Sequence, residues 1–202
     1  MSEQNDTPES VLDFWFADAT NDPKTFEQRN DLWFNGGAKF DKEIRSRFSG
    51  LFTQAQNGEL RTWKLSPEGT LALIIMFDQF PRNIFRGDER SFAYDLRAQA
   101  LARDGVASGI DQELAAAYRV FFYMPFMHAE DLEAQQLSIR CFEKQLEDAA
   151  LEWQPIMAKH LDFAKSHFEE IRQFGRFPHR NAVLGRTSTS AESRWLSSED
   201  VH

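Results

Sequence analysis

Phe40, Ile44, Phe48, Leu51 and Ala55 recur at steps of three and four residues, the spacing that lines one face of an α-helix. Leu132, Gln136, Ile139, Phe142 and Leu146 repeat that step, and Ile156, Leu161, Phe163 and Phe168 follow it less regularly. The run Leu71-Ala72-Leu73-Ile74-Ile75-Met76-Phe77 is apolar on every side and predicts a central helix buried all round. No stretch alternates apolar and polar residues as a half-buried strand does, and Asn35-Gly36-Gly37 and Asn57-Gly58 follow helical patterns.

Punctuation supports the same picture. Asp22-Pro23 and Ser66-Pro67 each set a capping side chain before a proline suited to the first helical position. Thr189-Ser190-Ala191-Glu192 has capping-box spacing and opens a short last helix. Gly58, Gly87 and Gly105 mark expected helix ends. The expected helices are 8–17, 24–34, 38–56, 67–79, 90–104, 112–123, 130–150, 154–173 and 190–197. Together they make an all-α chain of eight or nine helices with short connections, read as one domain over 1–202 with flexible ends at 1–7 and 198–202. No linker, low-complexity tract or strict repeat near the tetratricopeptide period interrupts it.

Composition narrows the partners. The 202 residues include 19 Phe, so the core is rich in large rings. A formal charge of -9 repels phosphate backbones and argues against nucleic acid. Mean hydropathy is -0.54 and the apolar runs are far too short to span a bilayer, so no membrane is expected. A single cysteine, Cys141, and an N-terminus without a signal-like stretch suit a reducing cytoplasm.

Two turns stand out. Asp78-Gln79-Phe80-Pro81-Arg82-Asn83 and Phe174-Gly175-Arg176-Phe177-Pro178-His179-Arg180-Asn181 both write Phe-Pro shortly before an arginine and an asparagine. Proline disfavours helix for the preceding residue and lacks an amide donor, so each Phe-Pro is expected to end or redirect a helix. Asn83 and Asn181 suit the turns that follow. Around the turns lie islands of positive charge: Arg82, Arg86 and Arg90, then Arg172, Arg176, His179, Arg180 and Arg186 in a stretch free of acids from 171 to 191. Guanidinium groups on a rigid turn suit bidentate capture of carboxylate or phosphate. The plainer alternative is pairing with the chain's own acids.

A third break, Tyr123-Met124-Pro125, precedes His128-Ala129-Glu130-Asp131, where Glu130 and Asp131 would favour the start of the next helix. His128 beside two carboxylates is a candidate general base or metal ligand, and His179 a second acid-base candidate. His160 and His167, seven apart, share one helix face. No spaced His-Glu or Cys pattern supports a metal, no fingerprint supports a cofactor, and no nucleophile motif surrounds Cys141.

The blocks VLDFWF (11–16), LWF (32–34), LALIIMFDQFPRNIFRG (71–87), FFYMPFMHAED (121–131) and FGRFPHRNAVLGR (174–186) resemble an uncharacterised bacterial all-helical family, a domain of unknown function grouped with tetratricopeptide-like folds. The similarity runs from about residue 10 to 196, and the resemblance implies an acid where Met127 stands, a small departure. His128, His167 and His179 fall in or beside these blocks, and His160 does not. The resemblance implies paired antiparallel helices in a superhelical stack and brings no activity, substrate or cofactor with it.

The residues favour a binding module for a small anion or an acidic peptide. Arg82, Asn83, Arg86, Glu130, Asp131, His167, Arg176, Arg180 and Asn181 form the candidate ligand-binding set. One alternative is an acid-base, hydrolase-like enzyme using His128 or His179 in the same pocket. The other is an interaction scaffold whose turns are purely architectural. The binding expectation requires the two Phe-Pro turns to meet in space.

Overall fold

The computed structural model describes residues 7–197, and these form nine α-helices and five short 3-10 turns with no strand. The helices are α1 (Pro8–Phe16), α2 (Pro23–Asn35), α3 (Gly37–Gln56), α4 (Pro67–Ile84), α5 (Asp95–Ser108), α6 (Ala116–Met127), α7 (Leu132–Asp148), α8 (Gln154–Phe174) and α9 (Ser190–Leu196). The ends expected to be flexible lie outside the described residues, except Thr7, whose hydroxyl caps α1 by accepting the Ser10 N–H at 3.3 Å. Asp22, Ser66 and Thr189 are N-caps as their sequence context predicts, with Thr189 and Glu192 closing a reciprocal capping box.

Helix α4 is the centre. Leu71, Leu73, Ile74, Ile75, Met76 and Phe77 are all buried, each contributing roughly 1.5–3 kcal/mol by leaving water. Around α4 pack α1, α3, α5 and α6, and α7 joins α6 to α8. One hydrophobic cluster runs from Val11 in α1 to Ala164 in α8. Its aromatic heart is Trp15, which meets Trp33, Phe40, Phe80 and Phe121 at 5.6–6.3 Å between ring centroids. Offset and edge-on rings at such distances add to the burial term.

Several expected boundaries move, among them the 90–104 helix to Asp95–Ser108 and the start of the 112–123 helix to Ala116, and two of the shifts matter for the site. Pro81 does not end α4; the helix continues to Ile84, with Phe85 N–H donating to the Pro81 carbonyl at 2.9 Å. Proline in a helix forfeits one backbone bond, at about 3 kcal/mol. Burying Asn83 and Ile84 in the extra turn, and an Arg82 guanidinium that donates to the Asp78 carbonyl, offset that loss. Likewise Pro125 lies within α6, which runs on to Met127. His128 therefore belongs to the end of α6, its N–H on the Met124 carbonyl at 2.9 Å, and does not open α7, whose N-cap is Asp131.

Gly105 is not a helix end. It sits inside α5 because a Cβ there would meet the Phe122 ring at 2.4 Å. The stop falls at Gly109, whose φ of 78° places it in the left-handed region that glycine enters freely.

Candidate functional site

Four chain breaks converge at one end of α4: its own last turns, the C-terminus of α6, the 3-10 turn Glu89–Phe92 leading into α5, and the 3-10 turn Pro178–Arg180 after α8. Each break frees a polar or charged side chain from the apolar faces behind it. At the bottom lies Asp78, with no solvent exposure. Its carboxylate accepts from His128 Nδ1 at 2.8 Å and from Gln79 Nε2 at 2.6 Å, and Arg82 Nη1 lies 3.3 Å away.

A bare carboxylate in such a place would be protonated. Burial raises the Asp78 pKa, but the charge of Arg82 and the bond from His128 outweigh it and hold the group well below the usual carboxylate range. Burial lowers the His128 pKa as well, despite the charge of Asp78. The pair is thus an ionised carboxylate and a neutral imidazole. Nδ1 carries the proton toward Asp78, and Nε2 has no partner among the described residues.

Asp95, at the start of α5, ties the two Phe-Pro segments together. It accepts from Arg82 Nη1 and Nη2 at 2.9 and 3.0 Å, and Arg180 Nη1 faces it at 3.5 Å. Burial raises the Asp95 pKa and the charge of Asp78 adds to that, with Arg82 and Arg180 opposing. Arg180 is 7% exposed and stacks between Phe92 and Phe177, at 4.6 and 4.5 Å from the ring centroids. Its Nη2 donates to the His128 carbonyl at 3.0 Å, while its buried Nε has no partner among the described residues. Burial, with Arg82 close by, brings its pKa down to about 10, so it is still a cation at neutral pH. Few neighbours satisfy this guanidinium fully.

Two clefts open on either side of the Phe92, His128 and Arg180 side chains. The first, about 330 Å³, is lined by Arg82, Arg86 and Arg180 and by His128, His167 and His179, with Gly87, Ser91 and Phe92 completing it. No carboxylate is among those lining residues. The second, about 490 Å³, carries Glu89, Asp95, Glu130 and Asp131 together with Arg90 and Arg180. Acids line only the second.

The structure thus brings Arg82, Arg86, His128, His167, His179 and Arg180 to one cleft and Glu130 and Asp131 to its neighbour. Arg86 spends Nε and Nη2 on Asp41 at 2.6 and 2.8 Å, and Asn83 bonds the same carboxylate at 2.9 Å. His167 is anchored through Nδ1 to the Phe163 carbonyl at 2.8 Å, and burial lowers its pKa. Asp131 caps α7 by accepting the Ala134 N–H at 2.8 Å. Glu130 precedes that cap; it pairs with Arg186 at 2.6 and 2.8 Å and accepts the Phe177 N–H at 2.8 Å. Arg176 and Asn181 stay outside both clefts. Arg176 clamps Glu192 at 2.6 and 2.9 Å, and Asn181 bonds Arg186 and Ser188. His160 is buried between Phe26 and Phe142. Among the described residues no three His, Cys, Asp or Glu side chains gather as a metal-holding group.

Sequence reasoning missed Asp78, Asp95, Phe92 and Asp41. Asp78 ends the apolar run 71–77 and stands four positions before Arg82, a spacing that points to it, whereas nothing local marks Asp95 as buried.

The residues 11–200 match the family described as a bacterial protein of unknown function (DUF924). A protein of unknown function from Agrobacterium tumefaciens, ATU0120, has a solved structure that matches with a TM-score of 0.78 and 35% sequence identity, over 94% of this chain and 96% of that one. No curated protein matches. The chain belongs to that bacterial family of unknown function.

Proposed function

We propose that this family member binds a small anion in the cleft between its two Phe-Pro segments, with Arg82, Arg86 and Arg180 donating to it and His128, His167 and His179 around it. One observation carries this: in a chain of net charge -9, a cleft of about 330 Å³ is lined by three arginines and three histidines and by no acid. The carboxylates that hold these guanidinium groups, Asp41, Asp78 and Asp95, are not among the lining residues. Each guanidinium has five N–H donors, so groups already paired on one edge keep donors for a ligand on another. The cleft's size favours a small molecule over an acidic peptide, and a superhelical, tetratricopeptide-like stack working in the cytoplasm belongs to the same proposal.

Titration calorimetry with orthophosphate tests it. The full chain should bind, and Arg180→Gln should weaken binding at least tenfold, or about 1.4 kcal/mol. Arg176→Ala should leave the affinity alone, because Arg176 serves α9. Orthophosphate at about a hundred times its dissociation constant should stabilise the fold by roughly 2.7 kcal/mol. Absence of both heat and stabilisation removes the anion site.

A further inference from the structure

Asp78 and His128 do more than fill space. A carboxylate with no exposure is an expensive way to hold an imidazole, since a carbonyl or amide would fix the ring without a buried charge. What the charge adds is basicity at the far nitrogen, Nε2. That nitrogen has no partner among the described residues, and His128 lines both clefts, the arginine-rich one included.

Resting on the anion site proposed above, we infer that Asp78 and His128 form a general-base dyad that drives water onto a phosphate monoester held by Arg82, Arg86 and Arg180. His128 would be the catalytic residue and Asp78 its positioning residue. In the step, the water oxygen forms a new bond to phosphorus as the ester P–O bond breaks and leaves its electron pair on the alcohol oxygen. Nε2 takes the water's proton, which solvent then carries to the alcohol. Water and ester are the only reactants.

The geometry suits phosphoryl transfer for a physical reason. Its transition state spreads charge over three equatorial oxygens, and positioned cations are what such a reaction needs. Three guanidinium groups line the cleft: Arg82 and Arg86 are each gripped by a bidentate carboxylate and Arg180 is fixed by stacking between Phe92 and Phe177, so none must reorganise during the reaction. The imidazole is neutral, as a base must be, because burial outweighs its anionic partner. Asp78 and Arg82 face the ring from α4, Asp95 from α5 and Arg180 from the 178–180 turn, while His167 and His179 line the cleft from α8 and that turn.

Hydrolysis of p-nitrophenyl phosphate by the full chain, alongside orthophosphate calorimetry, decides the matter. Wild type should turn the ester over, with kcat climbing to a plateau as His128 loses its proton. His128→Asn should lose on the order of 10²- to 10⁴-fold in kcat, the usual share of general-base catalysis, while still binding orthophosphate. Asp78→Asn should be slower too, and its rising limb should move to lower pH, because an imidazole without the carboxylate is less basic. Orthophosphate binding without wild-type turnover overturns the dyad and leaves the anion site standing. Equal turnover in His128→Asn overturns it as well. If neither variant folds, the wild-type profile decides: a kcat that is flat or falls with rising pH sinks the proposal.

Discussion

Arg180 reaches Asp95 across 85 residues of chain, Nη1 to Oδ2 at 3.5 Å, on the carboxylate that also grips Arg82 at both nitrogens. The two Phe-Pro segments are thereby held on one anion. Two cations sharing one acid, with Asp78 beneath, leave the group balanced in charge but unequal in satisfaction: Arg82 is bidentate, whereas Arg180 is stacked, buried and lightly bonded.

Removing Arg82 should therefore be severe. Arg82→Gln removes the cation that Asp78 and Asp95 share, leaving the buried Asp78 on His128 and Gln79 and the buried Asp95 on the more distant Arg180. Loss of one partner from a buried pair typically destabilises by about 3–5 kcal/mol. Arg86→Gln should cost less than half as much, since that side chain is half exposed and Asn83 still bonds Asp41. Urea unfolding of the two variants checks the order; equal losses would contradict the distinction.

The buried His160 gives the fold an acid limit. Its surroundings, with Lys159 adding to the effect, push its pKa from 6.5 down to about 4. The unfolded chain then binds a proton that the folded one refuses, so stability is complete above pH 6.5 and falls as the pH drops toward 4. The loss amounts to roughly 3 kcal/mol at the lower end. His160→Phe, between Phe26 and Phe142, should remove that part of the slope; an unchanged profile from pH 6.5 to 4 would show the imidazole is not the group responsible.

Gly105→Ala reverses the ordinary helix expectation. Alanine is favoured over glycine within a helix by about 1 kcal/mol, yet its Cβ would lie 2.4 Å from the Phe122 ring. Overpacking in a filled core costs about 1–3 kcal/mol, so net destabilisation is expected in thermal or urea melts. A more stable variant would mean that α5 and α6 can part without loss.

Arg176 should matter locally. Its two bonds to Glu192 and one to the Thr187 carbonyl, 3.0 Å, fasten the α9 segment, and they hold the Glu192 carboxylate far below its usual range. Arg176→Ala should speed amide exchange across 187–196 while leaving exchange in α4 and α6 as it was. Faster exchange spreading into α4 would place Arg176 in the central network instead.

The resemblance in sequence to a family of unknown function implies a fold alone, and the all-helical class of the described residues agrees with it. Positions such as Phe40, Ile44 and Phe48 carry their own evidence, because the helical stripe they form repeats every three or four residues within one continuous segment. Pro81 and Pro125 misled for the same reason in reverse: their local penalty was legible, and the burial that outweighs it was not. Arg82, Arg180 and His128 could be singled out as charged groups beside turns.

That the segments carrying them meet, and that Asp78 and Asp95 rather than solvent receive them, was decided only by tertiary packing. Capping and propensity act within about one helical turn, whereas the meeting of residues 78, 95, 128 and 180 depends on which apolar faces bury against one another across the whole chain. The amino-acid order by itself determined an all-helical chain and where most of its breaks fall. Burial of α4 by its neighbours decided which breaks would share a hollow, and it turned an aspartate at the end of an apolar run into the charge at its base.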